Sequence, residues 1–274
     1  IMIQVIFLAA STFQALISGS VYFQMGGDTS ALFSRAGVLF FILLYNSLSA
    51  MTEVAVRYED RPILIRHQRF AMMPPSADAI ASTLLDFPIR FVINFVFIVV
   101  IYFMSRLEYD AGKFFINLFA TSLTVNTMVA FFRMLASLTR ALPLATMLSG
   151  LTIIDTVLYA GYAIPRPSMV VWWKWLSYCN PVSFGYEILI ANEYRGQMMQ
   201  CANMVPAGAD YGSVPMENKV CPIAGSEPGQ YHVNAEQYME KTYGYSWDNA
   251  SRNVGILFGF WIFFLIVFMV ASEF

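Results

Sequence analysis

Six apolar runs, each near the length a helix needs to cross a bilayer, alternate with polar links along this chain, and that alternation constrains the fold more than any motif. The runs are residues 1–23, 31–56, 80–104, 114–135, 142–164 and 254–270. A bilayer core takes about 20 apolar residues per helix, and a spanning backbone must satisfy its own hydrogen bonds. The chain therefore reads as all-α, a polytopic membrane protein with six transmembrane helices in a single domain over 1–274. Composition agrees: 58% of residues are hydrophobic and 12% charged, against roughly 25% charged in ordinary soluble domains. With a net charge of -2 and no Lys/Arg block, nucleic acid is excluded as a partner. Ile1 already lies in an apolar run, without an initiator Met, a basic leader or a cleavage site, so a domain of a longer polypeptide is expected.

Residues 54–91 interrupt the oil. They hold Arg57, Arg61, Arg66, His67 and Arg69 against Glu59, Asp60 and Asp78, and basic residues in a short link mark the cytoplasmic side. This segment is read as a cytoplasmic elbow on which a soluble partner can act. The elbow and the link after the fourth run carry Arg57, Arg61, Arg66, Arg69, Arg133 and Arg140, whereas the opposite short links carry Arg106 and Lys113. Six against two puts the amino end inside. Asp86 and Arg90, four apart at the start of the third run, are expected to pair on one helix face. Arg35 reads as a snorkelling anchor, and Asp155, inside the fifth run, as a hydrogen-bonded structural group facing the bundle rather than a proton relay.

The segment 165–253 is then an extracellular loop. Its start carries Trp172, Trp173, Trp175, Tyr178 and Tyr186, the composition of an interfacial belt. The polar residues between them predict a helical hairpin lying in or dipping into the outer leaflet rather than a full span. Farther on, Cys201 and Cys221 stand in a polar stretch where an oxidising environment allows a disulfide. Cys179 is the odd thiol, read as buried and free, with a bond across a dimer as the alternative. The sequon at Asn249 lies on this side, yet only a few residues from the last span, where glycosylation is not favoured. The scattered cysteines and histidines make no metal site. No phosphate loop, zinc-protease or serine-hydrolase motif occurs, so this chain by itself is not an enzyme.

Longer stretches carry a resemblance. RPILIRHQRF at 61–70, PPSADAIAS at 74–82, Asp86-Phe87-Pro88, YAGYAIPRP at 159–167, NPVSFGYEILIANEYRG at 180–196, Cys201, VPAGADY at 205–211 and Cys221 are similar to the fungal pleiotropic drug resistance branch of G-type ABC transporters. More narrowly, the chain resembles the first of that family's two membrane domains, with Asp86 where the family often has Glu. The resemblance implies a membrane half of an ATP-driven exporter of hydrophobic drugs, sterols or lipids, multi-pass in a fungal plasma membrane. Its implied partners are nucleotide-binding domains holding ATP and Mg, and a second membrane domain, in the same polypeptide; lipids and hydrophobic small molecules complete the set. Arg61, Arg66, His67 and Arg69 would couple to a nucleotide-binding domain. Phe41, Leu44, Tyr45 and Leu48 on the second span, with Ile153, Thr156, Val157 and Tyr159 on the fifth, would line the substrate pathway. Apolar and aromatic walls with few polar groups suit greasy, varied substrates. The alternative reading is an ion-coupled carrier or channel that works without ATP.

Overall fold

A computed structural model describes residues 2–70, 74–207 and 215–273. The chain is 75% helical. Its main helices are α1 (Met2–Val21), α2 (Leu32–Ala50), α3 (Thr52–Arg69), α4 (Pro75–Met104), α5 (Ala111–Leu138), α6 (Leu142–Tyr159), α7 (Lys174–Cys179), α8 (Pro181–Tyr194), α9 (Ala235–Tyr243) and α10 (Ala250–Glu273). Six segments are long and apolar enough to cross a membrane, with α2 and α3 counted together as one run of 41 residues, Thr29–Arg69. Local chemistry sets the ends. Asp110 accepts from the Gly112 N–H at 2.9 Å and caps α5, a bond that satisfies one of the orphan donors of a helix start. Pro75 opens α4 in the first turn, where its missing N–H is no loss. Gly161, at φ +99°, turns the chain out of α6 through a backbone region open to glycine.

Three features depart from the sequence reading. The second run does not continue to residue 56: α2 stops at Ala50, and after Met51 the polar elbow continues as the helix α3. Glu53 in its first turn and Arg66, His67 and Arg69 in its last complement the helix dipole, which is why a segment too polar for the membrane stays helical. Residues 71–73 of the elbow lie outside the described residues, as does the VPAGADY stretch from 208 onward. Secondly, α4 begins at Pro75 rather than Ile80 and has 30 residues, about 45 Å, so its first turns extend past the bilayer core.

The third departure is α8. All 14 of its residues are buried, against α2, α5, α9 and α10. At about 21 Å long it is too short to span, so it enters the bundle as a plug. The expected hairpin divides: Trp172, Trp173, Trp175 and Tyr178 stay exposed, in keeping with a belt, while Tyr186 is fully buried and packs edge-on to Phe40, Tyr162, Tyr243 and Tyr245. Gly185 lets α8 approach α5, since a Cβ there would sit 2.3 Å from the Thr124 hydroxyl. Beyond α8, strands β1 (Met198–Gln200) and β2 (His232–Asn234) pair antiparallel with Met199 opposite Val233, and α9 folds back over α8.

Candidate functional site

Glu53 is the centre of the elbow. It is buried at the first turn of α3, where it accepts from Arg133 Nε of α5 at 2.7 Å and pairs with Arg90 of α4. The same Arg133 guanidinium pairs with Asp86 and donates to Thr83 at 3.3 Å. Asp86 and Arg90 thus do not pair with each other. A guanidinium 1% exposed is tolerable only when paired and hydrogen-bonded, and Arg133 draws in carboxylates from two other helices. One turn on, Arg57 pairs with Asp78 at 3.4 Å and donates to Ser82. In the sequence Arg133 reads as a link charge, and Glu53 carries only one signal, that of a carboxylate inside an apolar run.

The four expected coupling residues divide. Arg61 turns inward, stacks on the Tyr58 ring at 4.0 Å, and donates to the carbonyls of Ala136 and Thr139, the latter at 2.6 Å. It thereby serves the unpaired carbonyls at the end of α5. Arg66 and Arg69 are exposed and His67 half-buried. None of these three forms an ion pair among the described residues. With Phe70 at 71% exposure beside them, they make a basic, partly apolar surface at the free end of a helix fixed at its other end.

The eight expected pathway residues are not one wall within this chain. Tyr45 stacks on Phe97 of α4 at 4.8 Å and donates to Ser11 of α1 at 3.4 Å, with the Phe41 ring 6.4 Å away. These two rings face the α1–α4 side, whereas Leu44 is half-buried and Leu48 is 43% exposed. On α6, Thr156 is buried and its carbonyl accepts from Asn180 at 3.1 Å; Ile153, Val157 and Tyr159 are half-buried. An exposed stripe of Met147, Leu151, Ile154 and Leu158 runs along α6 at helical spacing. Asp155, expected to be hydrogen-bonded, is half-buried and has no salt-bridge partner among the described residues. Its neighbours Ile154 and Leu158 are exposed, so this part of α6 is not enclosed by the bundle.

At the opposite end the charges are also paired rather than free. Arg35 is not a snorkelling anchor: it is 6% exposed and meets Glu193 of α8 at 3.2 Å and the Gly26 carbonyl at 3.2 Å. Burying α8 strands its carboxylates, so Glu187 likewise takes Arg166 at 2.6 Å. Arg166 also lies 5.0 Å from the Tyr245 ring. Burial pushes the Tyr245 hydroxyl up to about 12, so it stays a neutral donor to the Ala160 carbonyl at 3.3 Å. Cys201 and Cys221 are bonded, with Cα atoms 5.9 Å apart; Cys179 is free but exposed rather than buried, because it ends α7 on the outer face of the aromatic cluster beside the exposed Tyr178. The Asn249 amide nitrogen, where a glycan would attach, donates to Glu187 at 3.2 Å. Among the described residues no cluster of His, Cys, Asp or Glu could hold a metal ion.

Comparison with known proteins gives this arrangement a context. A family model described as ABC-2 type transporter matches residues 2–194, and one described as CDR ABC transporter matches 205–274. The chain is 36% identical over 264 residues, 96% of its length, to the brefeldin A resistance protein of Schizosaccharomyces pombe. It is 39% identical over 260 residues, 95% of its length, to the ABC-type transporter oblD of Cochliobolus heterostrophus. It is also 35% identical over 264 residues, 96% of its length, to the ABC multidrug transporter A-2 of Aspergillus fumigatus. The chain spans only 17%, 17% and 18% of these three relatives.

Proposed function

Since this chain belongs to the ABC-2 type transporter family, we propose that it is the first of two membrane domains of an ATP-driven exporter of hydrophobic drugs, sterols or lipids, acting at a fungal plasma membrane. The relatives' names, which speak of brefeldin A resistance and multidrug transport, support the greasy substrate class, as do the apolar walls of α2 and α6. ATP and Mg are supplied by nucleotide-binding domains elsewhere in the polypeptide. The second membrane domain covers the exposed stripe of α6 and completes the pathway; of the four α2 residues Leu44 and Leu48 border it, since Phe41 and Tyr45 are turned to the α1–α4 side.

The observation that carries the coupling role is the asymmetry of α3. Its first turns are tied to α4 and α5 through Glu53, Arg57 and Arg61, while its last turn presents Arg66, His67, Arg69 and Phe70 outward. A push on the free end therefore moves α4 and α5 with it. ATP binding closes the nucleotide-binding domains, α3 transmits the motion, and the pathway switches from inward-open to outward-open; the differential affinity of ATP for the two states drives the shift.

Arg66→Ala with His67→Ala tests this in the full-length protein. Surface expression and thermal stability stay at wild-type level, ATPase activity persists, and drug export falls about tenfold, a loss of roughly 1.4 kcal/mol of coupling. Unchanged export together with unchanged ATPase activity removes α3 from the coupling path. Export that continues without ATP hydrolysis points to an ion-coupled carrier instead.

A further inference from the structure

α1 and α4 meet closely at one end and stand apart at the other. In the last turn of α1, a Cβ added at Gly19 would lie 2.8 Å from the sulfur of Met104, the last residue of α4. Toward the α3 end, Val5 and Ile6 are 58% and 60% exposed, and a cavity of about 480 Å³ opens between α1, the α2–α3 junction and α4. Its walls are apolar at Phe7, Ile89 and Ile93, and its base is charged at Arg57, Asp60 and Arg90.

Three buried polar atoms of this lining have no partner: Nε of Arg57, Nε of Arg90 and Oδ1 of Asn94. Arg57 and Asn94 are 8% and 3% exposed. Arg57 commits its other nitrogens to Asp78 and Ser82, and Arg90 one of its own to Glu53. A buried donor left unpaired is costly, and an oxygen brought there would satisfy it. Asp60, half-buried and three residues beyond Arg57, has no ion pair among the described residues. Across the lining Arg57, Arg90 and Arg133 face Glu53, Asp60 and Asp86, and Asp78 on Arg57 adds a fourth carboxylate, so the base has no net positive charge yet offers a free donor and a free carboxylate about one turn apart.

We propose that this crevice holds one zwitterionic phospholipid from the leaflet on the α3 side. The phosphate accepts from Arg57 and Arg90, the headgroup ammonium pairs with Asp60, and an acyl chain lies along Phe7, Ile89 and Ile93. Asn94, one turn deeper on α4 than Arg90, meets the ester region. Its amide now donates to Ser122 at 2.8 Å; turned over, it accepts from that hydroxyl and donates to an ester carbonyl, the two orientations being chemically equivalent to Ser122. A headgroup with net negative charge would meet the three carboxylates without an ammonium to answer Asp60, and a sterol has no group for Asp60 at all.

The site is tested without ATP or transport, so its failure is separate from failure of the export reading. The full-length protein is reconstituted in nanodiscs with a diazirine-tailed phosphatidylethanolamine or phosphatidylglycerol at equal mole fraction, photolysed, and mapped by peptide mass spectrometry. Ethanolamine lipid labels the peptides holding Phe7 to Ser11 and Ile89 to Asn94 about fivefold more than glycerol lipid, the ratio of roughly 1 kcal/mol for one charge pair. Ile93→Trp, which fills the apolar wall, abolishes that labelling while the size-exclusion profile is unchanged, and Asp60→Asn removes the headgroup preference. Equal labelling by both lipids, labelling confined to other helices, labelling that persists in Ile93→Trp, or displacement by an equimolar sterol overturns the proposal.

Discussion

Arg133 is a single side chain that holds three helices together, because one guanidinium meets Glu53 of α3 and Asp86 of α4 from its place on α5. Removing one partner of a buried pair is far more damaging than the pair is stabilising, since the remaining charges are left without a counterion. Arg133→Ala is expected to lower stability by about 3–5 kcal/mol, read as a lower melting temperature of the detergent-solubilised protein, with Glu53→Gln in the same background restoring part of it. Additive losses would mean the two residues do not share one network. In this region the sequence shows which residues are charged but not which helix holds the partner of each. Asp86 and Arg90 stand four apart on α4, and nothing in that spacing says that each looks to another helix; Arg35 and Glu193, 158 positions apart, are the same lesson at the other end.

At the scale of elements, α8 decides how the bundle is filled. Its 14 residues are few, polar at intervals and begin with a proline, all signs of an interfacial hairpin, and it is nonetheless buried on every side. It can be, because Arg166, Arg35 and Lys113 answer its carboxylates and carbonyls and because Gly185 lets it lie against Thr124. Gly185→Ala should therefore cost about 1–3 kcal/mol by overpacking, and Thr124→Ala should recover most of it; a double variant no better than the single one would show that the close approach is not the cause. The helix α3 is the opposite case, a polar segment that remains helical outside the bilayer core and keeps its last turn free. The disulfide that closes the 20-residue separation between Cys201 and Cys221 stabilises the segment between α8 and α9 by roughly 3 kcal/mol in the chain-entropy picture. Cys201→Ser is expected to reduce maturation and lower the melting temperature, measured by glycan-independent surface labelling and by thermal scans.

On the scale of the whole molecule, orientation is the property on which the coupling role depends. If the elbow faces the cytoplasm, a cysteine placed at Phe70 in a background without Cys179 reacts with a membrane-impermeant maleimide only after the cells are permeabilised, while residues near Trp172 react in intact cells. The reverse pattern would invert the topology and with it the function of α3. Sequence alone determined the class of fold: the length of each apolar run against the thickness of a bilayer leaves six helices and little else, while the arginine excess on one set of short links is the ground for expecting that side in the cytoplasm. Long motifs carried the family, and two cysteines in a polar segment allowed the bond that the structure contains. Tertiary structure decided which charges are buried, that α8 is a plug rather than a belt helix, and that Tyr45 lies on Phe97 instead of facing α6. The reason is physical. Hydropathy and charge are local sums that a chain carries with it, whereas the partner of a buried arginine is chosen only when distant helices close around it and exclude the water that would otherwise serve.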